Sequence, residues 1–561
     1  MKTAFGITAF GFVSLAACSG SIEGTSGRTN TGGAKGGAGG AEEKASACNF
    51  SNDVVPGASP LRRLTKSEYN NTVADLLGDT SDPASAFPPE SRVHGFDNHV
   101  STQTVTYTLA DYLFKSAEQL ASRAITKLDT LYSCDVAKLG ETPCAEQFVR
   151  GFGARAFRRP LEAAEQTSLL DTYQKGRQTG DFKNGLRLAI TRMLASPHFL
   201  YRPELAEGER KSNGGVALTS YEVASRLSYL LWGSMPDQTL FDAAAKGELA
   251  TAKQVSDQVS RMLDNPKAKV AIKRFYSGWL MLDKLSQSAK DEKLFPGYGV
   301  VVPSMMEEIS RLMDDVIWGN DATVTKLFKT DYTFANRDLA TFVGLSGAST
   351  MDKTFQKVAL SPQGPSGAQQ RMGILTSPGL LAAQSKPQES SPVLRGRFVL
   401  EQMLCMELPL PPAGVPPVEA VDSSALTTRE RFEKHAESAC ASCHKFLDPI
   451  GFAFESYDAA GRFRETEKGK PINTSGTLGE TDVDGAFKNA VELSDRFARS
   501  ERVRACIAKQ WFRFAMGRNE LDDDERGLRQ LGCGFQGQNA NLRSLLGAVT
   551  QTDAFLYKQA K

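Results

Sequence analysis

The sequence carries no surplus of either charge: 66 Lys and Arg face 65 Asp and Glu. That balance removes the electrostatic reason to expect a nucleic acid or an acidic polymer as partner. Long apolar runs are also missing, since no segment reaches the 18 or so continuous apolar residues that a spanning helix needs. Alternating apolar and polar patterns are scarce, which argues against a sheet-based body. The chain lacks a Ser-His-Asp order, a nucleophile elbow, a phosphate-binding loop and a dinucleotide fingerprint, so hydrolase and kinase readings have no motif. Histidine is rare, with five in 561 residues. Three of them, His94, His99 and His198, read as structural or surface residues.

A chain of 561 residues is too long for one hydrophobic core and should divide into roughly three to five domains. Hydrophobic residues at 41% and charged residues at 23% are ordinary for a globular chain. They set aside wholesale disorder and a polytopic membrane protein. Residues 1–18 read as a lipoprotein signal peptide: Lys2, a mostly apolar stretch from Ala4 to Val13, then Leu15-Ala16-Ala17-Cys18. The tetrapeptide resembles a bacterial lipobox, in which the Cys is lipidated and becomes the new N-terminus; ordinary cleavage beside an incidental Cys is the alternative. Ser19 after the Cys resembles the outer-membrane sorting choice. The expectation is a cell-envelope protein, lipid-anchored at Cys18 to the outer membrane and facing the periplasm or the surface. Residues 19–47 hold almost no large apolar side chain and read as a flexible Gly/Ser-rich tether.

Nine cysteines in an exported chain read as bonds rather than free thiols. With Cys18 lipidated and Cys440 and Cys443 otherwise used, six remain as disulfide candidates: Cys48, Cys134, Cys144, Cys405, Cys506 and Cys533. Local spacing favours Cys134 with Cys144 and Cys506 with Cys533, leaving Cys48 for Cys405, although other pairings stay open.

Helical signals run through most of the chain. Thr65-Lys66-Ser67-Glu68 is a capping box with Leu64 and Tyr69 as a hydrophobic staple, and Tyr69, Val73, Leu76 and Leu77 line one face before Gly78. The same grammar returns at Thr219-Ser220-Tyr221-Glu222, with Leu227, Leu230 and Leu231 leading to Gly233; an unrelated recurrence is the simpler reading than duplication. A third helix is expected after Arg158-Arg159-Pro160, with Pro160 in its first turn. Residues 184–201, 254–264, 268–283 and 303–318 also show helical spacing. Punctuated stretches at 345–368 and 408–418 (LPLPPAGVPPV) read as a boundary and a stiff extended connector.

Cys440-Ala441-Ser442-Cys443-His444 is the attachment signature of c-type haem: two thiols meet the porphyrin vinyl groups, and the adjacent imidazole reaches the iron. A CxxC disulfide or redox pair, and a zinc site using Cys440, Cys443, His444 and His435, are the competing readings. Export and the immediately following His favour haem c, with Cys440 and Cys443 as thioethers and His444 as an axial ligand. The aromatics from Phe446 to Tyr457 could wall a haem, but read first as core. A distal ligand is not fixed by the sequence. Met516, Met406, Met403, Met372 and His435 are candidates, and any single Met is more often core.

The string from Cys440 to Arg464 resembles the planctomycete-type cytochrome family, multi-domain surface proteins also common in myxobacteria. Similar to the same family's linked domains of unknown function are Leu64 to Leu77, Phe157-Arg158-Arg159-Pro160-Leu161, Ser196 to Arg202, Leu218 to Leu231, Gly373 to Thr376, Ser391 to Gly396 and Gly517-Arg518. The resemblance implies helical domains at 48–135, 144–210 and 215–345, a cytochrome-like CxxCH domain at 368–466 and a C-terminal helical domain at 484–561. The fold expected is therefore mainly α, a multi-domain helical protein with a c-type-cytochrome-like module in its C-terminal half. Some relatives are fused to carbohydrate-binding modules, so polysaccharide enters as a partner. The function expected is a surface-anchored monohaem electron carrier or oxidoreductase subunit with a redox partner protein. Its rivals are a non-enzymatic envelope binding or scaffold lipoprotein, and a haem enzyme with an open coordination position.

Overall fold

The computed structural model describes residues 54–205, 210–211, 215–360, 370–408, 426–433 and 441–559. The signal peptide with Cys18, the 19–47 tether, Cys48, His435, Cys440 and most of the 408–418 connector lie outside the described residues. Within them helix dominates, and the strands form five two-stranded antiparallel ribbons. The mainly α expectation holds.

Local chemistry accounts for the helix starts. Thr65 Oγ1 accepts from Glu68 N at 3.3 Å while the Glu68 carboxylate accepts from Thr65 N at 3.0 Å, closing the capping box of Lys66–Leu77. Gly78 stops that helix at φ 60°. Thr219 and Glu222 repeat the reciprocal pair at the start of Ser220–Leu231. The third start differs from expectation. Arg158, at φ 60°, ends the preceding helix Glu141–Phe157, and the next helix, Ala163–Gln178, begins after Glu162, so Pro160 lies in the connection. Glu162 and Glu165 supply the cap instead of a proline first turn. Residues 345–368 are not purely a boundary, because Gln356–Ala359 pairs with Tyr332–Ala335.

The apolar side chains gather into three clusters that do not follow the sequence segments. One holds residues from Leu64 to Met235. A second is shared by Ser220–Leu231, Pro266–Trp279, Tyr298–Trp318, Pro392–Met403, Ala441–Phe452 and Glu501–Met516. A third, from Leu285 to Ala460, joins Tyr298, Met305 and Leu339 to Ala459 and Ala460. The CxxCH-bearing segment thus packs into a core built jointly with segments before and after it.

The two ends of the described chain also meet. Gly215–Ala217 pairs with Tyr557–Gln559, Arg62 Nη1 donates to the Ala515 carbonyl at 2.8 Å, and Asn98 Nδ2 donates to the Phe514 carbonyl at 2.8 Å. Among the described residues no helix is long and apolar enough to cross a membrane.

Cys134 and Cys144 are bonded, as their spacing suggested. The other favoured pairs are corrected: Cys405 is bonded to Cys506, with Cα atoms 5.3 Å apart, so neither Cys506–Cys533 nor Cys48–Cys405 forms. Cys533 is itself disulfide-bonded. The reason is packing. Cys405 follows Pro392–Met403, which lies against Glu501–Met516, and that contact brings together residues 101 apart in sequence.

Candidate functional site

The helix Ala441–Phe452 carries the backbone of Cys443 and the whole of His444. Its position is set by glycine. A Cβ on Gly396 would strike the Leu447 carbonyl, and one on Gly451 would strike the Pro392 carbonyl. These two contacts run in opposite senses along the chain, so Ala441–Phe452 and Pro392–Met403 are antiparallel and nearly in backbone contact. The CxxCH end of the motif helix therefore points toward the Met403 end of its neighbour.

Beyond the motif helix, one buried arginine holds the following turn. Arg395 is 2% exposed and donates to the carbonyls of Phe454 at 2.7 Å, Tyr457 at 2.8 Å and Asp458 at 2.7 Å. Glu455, also buried, accepts from Ser390 Oγ at 2.7 Å and lies 3.7 Å from Arg395. Burial foremost pushes the Glu455 carboxyl upward, against the pull of Arg395. The sequence stretches Ser391 to Gly396 and Asp448 to Tyr457 are thus two faces of one joint.

On the adjacent stripe of the motif helix, one turn apart, stand His444 and Asp448. His444 Nδ1 lies 2.9 Å from Asp448 Oδ1 and 3.1 Å from Oδ2. The imidazole is 19% exposed and the carboxyl 7%. A carboxylate can only accept, so this contact places a proton on Nδ1, and in the neutral imidazole Nε2 is then the nitrogen that keeps its lone pair. Nε2 has no partner among the described residues. One imidazole nitrogen pinned by a carboxylate, the other open and half-shielded, is the donor chemistry of a metal-binding histidine, and the residues fit a haem iron in that respect.

The other candidates are dispersed. Met516 is buried in the core at the far end of Glu501–Met516, about 15 Å along the helix from the Cys506 that meets Cys405. Met403 is fully buried, and Met372 is buried beside Thr376. Met406 is half-buried, just past Cys405, its backbone N–H donating to the Leu400 carbonyl at 2.9 Å. Phe454 and Tyr457 belong to the shared core, Phe446 packs at its edge, and Phe452 is buried with the Arg429 guanidinium over its ring. His99 Nδ1 meets Ser101 Oγ at 2.8 Å, and burial lowers the pKa of His94. His198 Nε2 lies 3.3 Å from Glu165 Oε1, a carboxylate also gripped by Arg159 at 2.7 Å. No group of three or more His, Cys, Asp or Glu side chains fit to hold a metal occurs among the described residues.

The sequence reading passed over Asp448, which stands inside the aromatic stretch. Its signal was a His-x-x-x-Asp spacing on a helix, which puts both groups on one face. It also passed over Glu308, which is 2% exposed, accepts from Ser377 Oγ at 3.2 Å and is bonded by Thr333 Oγ1 at 2.5 Å. Burial raises its pKa to about 7.

Fold and site together define a mainly α protein of consecutive segments with shared cores, carrying one histidine–carboxylate pair on a CxxCH helix. The chain contains five domains, each described as a protein of unknown function: DUF1587 over residues 62–126, DUF1595 over 144–204, DUF1592 over 218–345, DUF1588 over 371–467 and DUF1585 over 484–555. The motif helix falls in the fourth. No curated protein and no solved structure matches the chain.

Proposed function

We propose that the protein is a lipid-anchored member of the planctomycete-type cytochromes that carries one covalent haem c and serves electron transfer, or an oxidoreductase, at the cell envelope. The observation that carries this reading is the His444–Asp448 contact, which leaves Nε2 open beside a CxxCH sequence. The short name PSCyt3, given to the family that matches residues 371–467, is in keeping with it. Cys440 and Cys443 would form the thioethers and His444 would ligate the iron, which supplies one-electron redox chemistry when bound. The chain's own part is to hold the imidazole in one tautomer and to keep the motif helix fixed against Pro392–Met403, with Leu447, Ile450 and Phe454 buried in the shared core. Lipidation at Cys18, an outer-membrane location and a redox partner protein belong to the same proposal.

Protein expressed in the periplasm of a strain competent in cytochrome maturation should give a pyridine haemochrome spectrum of the c type. Cys443→Ser should weaken or abolish covalent attachment, and His444→Ala should leave haem attached but misligated. A colourless wild type from that strain would defeat the reading. A second reading, a non-enzymatic scaffold with polysaccharide as its partner, draws on an open groove of 650 Å³ lined by Phe114, Phe157, Leu188 and His198. Retention on a polysaccharide column by protein that lacks haem would favour it.

A further inference from the structure

We infer that Asp448 is a positioning residue that fixes His444 as the Nδ1–H tautomer and strengthens Nε2 as a ligand, holding the iron toward its ferric state; this rests on the haem reading above. Three observations on the motif helix carry it. The first is geometric: both carboxyl oxygens lie within hydrogen-bond distance of one nitrogen, at 2.9 and 3.1 Å, so rotation of the carboxyl does not release the imidazole. The second is burial. Asp448 is 5% exposed, so water competes little for its oxygens, and the contact acts at a lower effective dielectric than a surface pair. The third is rigidity: Leu447 and Gly451, on the neighbouring stripe, are pressed against Gly396 and Pro392, and Ile450 is 3% exposed in the shared core. The backbone positions of His444 and Asp448 are therefore set one turn apart by a helix that is itself held by backbone contact.

The consequence is electronic as well as steric. A carboxylate accepting the Nδ1 proton places negative charge behind the imidazole and raises the basicity of Nε2. A more basic ligand favours the higher-charged metal ion. Replacing the carboxylate by a neutral amide keeps an acceptor at the same distance and removes the charge, which separates the electronic effect from the steric one. Outer partners of metal-bound histidines are worth about ten- to a hundredfold in metal affinity. If a tenfold change fell entirely on one oxidation state, it would correspond to about 59 mV for one electron.

The test compares wild type, Asp448→Asn and Asp448→Leu, each checked for a native thermal transition. In haem-loaded protein, Asp448→Asn should keep its thioether bonds and raise the midpoint potential by the equivalent of about tenfold. Its ferrous iron–histidine stretching band should move to lower frequency. Haem-free protein, made without cytochrome maturation, gives an independent readout: ¹⁵N chemical shifts of His444 should report Nδ1–H in wild type and a mixture in Asp448→Leu. Loaded Asp448→Asn with unchanged potential and unchanged stretching band would overturn the inference. An Nε2–H tautomer in the wild type would overturn it as well. If wild type never loads haem, the haem reading fails by itself, and the tautomer result still decides whether Asp448 positions His444.

Discussion

Two regions bury ionic groups, and they do so to opposite ends. At the joint between the chain's early and late segments, Arg226 is 2% exposed in its side chain and grips both oxygens of Glu204, at 2.7 and 2.5 Å. The same arginine reaches the Ala554 and Phe555 carbonyls, at 2.7 and 2.6 Å. Arg274 bridges Asp97 at 2.6 Å and Glu68 at 3.2 Å. Ionisation is strongly displaced here: burial first, then Arg202, bring Arg62 down to about 9. Burial would raise Glu204, but Arg226 and then Arg62 outweigh it and hold that carboxylate far below its ordinary range. At the motif helix there is one pair, and its histidine keeps a nitrogen open. The joint between early and late segments thus consumes its charged groups in mutual contacts, whereas on the motif helix His444 keeps one ring nitrogen without a partner among the described residues.

That contrast is open to attack from both sides. Glu204→Ala leaves Arg226 and Arg62 buried beside a lost carboxylate and should cost about 3–5 kcal/mol in a denaturant titration while leaving the haem spectrum unchanged. Because the folded carboxylate is held below its unfolded value, the wild-type contribution is present above the ordinary Glu range and lost as pH falls through and below it. A spectrum that changed with Glu204→Ala would join the two regions. Cys405→Ser should cost about 2–4 kcal/mol, and peptide mapping under non-reducing conditions should recover the 405–506 and 134–144 pairs.

Glu308 sharpens the comparison, being a buried carboxyl with no facing cation in hydrogen-bond contact among the described residues. Its folded pKa of about 7 stands above the ordinary 4.5, so its contribution is complete below 4.5 and is lost as pH rises through 7. Glu308→Gln should flatten that decline and stabilise the protein at pH 8 by up to about 3 kcal/mol, read from thermal unfolding at pH 5 and pH 8. The smallest effect on stability is expected at the motif joint. Gly451→Ala forces a Cβ into the Pro392 carbonyl, costing about 1–3 kcal/mol, and unlike Glu204→Ala it should perturb the haem spectrum.

What was legible in the sequence was local. Thr65 with Glu68 and Thr219 with Glu222 could be read because a capping box is complete within four residues. Cys134 and Cys144 are ten residues apart and were paired by proximity alone. The failures needed the third dimension. Cys405 and Cys506 meet because two helices pack, a fact absent from spacing. Pro160 looked like a helix start, but Arg158 in the left-handed region had already turned the chain, leaving the cap to Glu162 and Glu165. Arg62, Arg226, Glu204 and Glu308 are ionisable side chains that a linear pattern assigns to the surface. At the site itself CxxCH and His444 were plain, while Asp448 was hidden among aromatics whose burial in the core is now explained.

The most direct trial of a haem held at residues 440–444 is mass spectrometry of the mature protein and its proteolytic peptides after periplasmic expression with cytochrome maturation. One peptide spanning Cys440 to His444, heavier by a single haem and bonded through both sulfurs, is the expected result. The same peptide with its two cysteines joined to each other, or released intact with zinc, would contradict it.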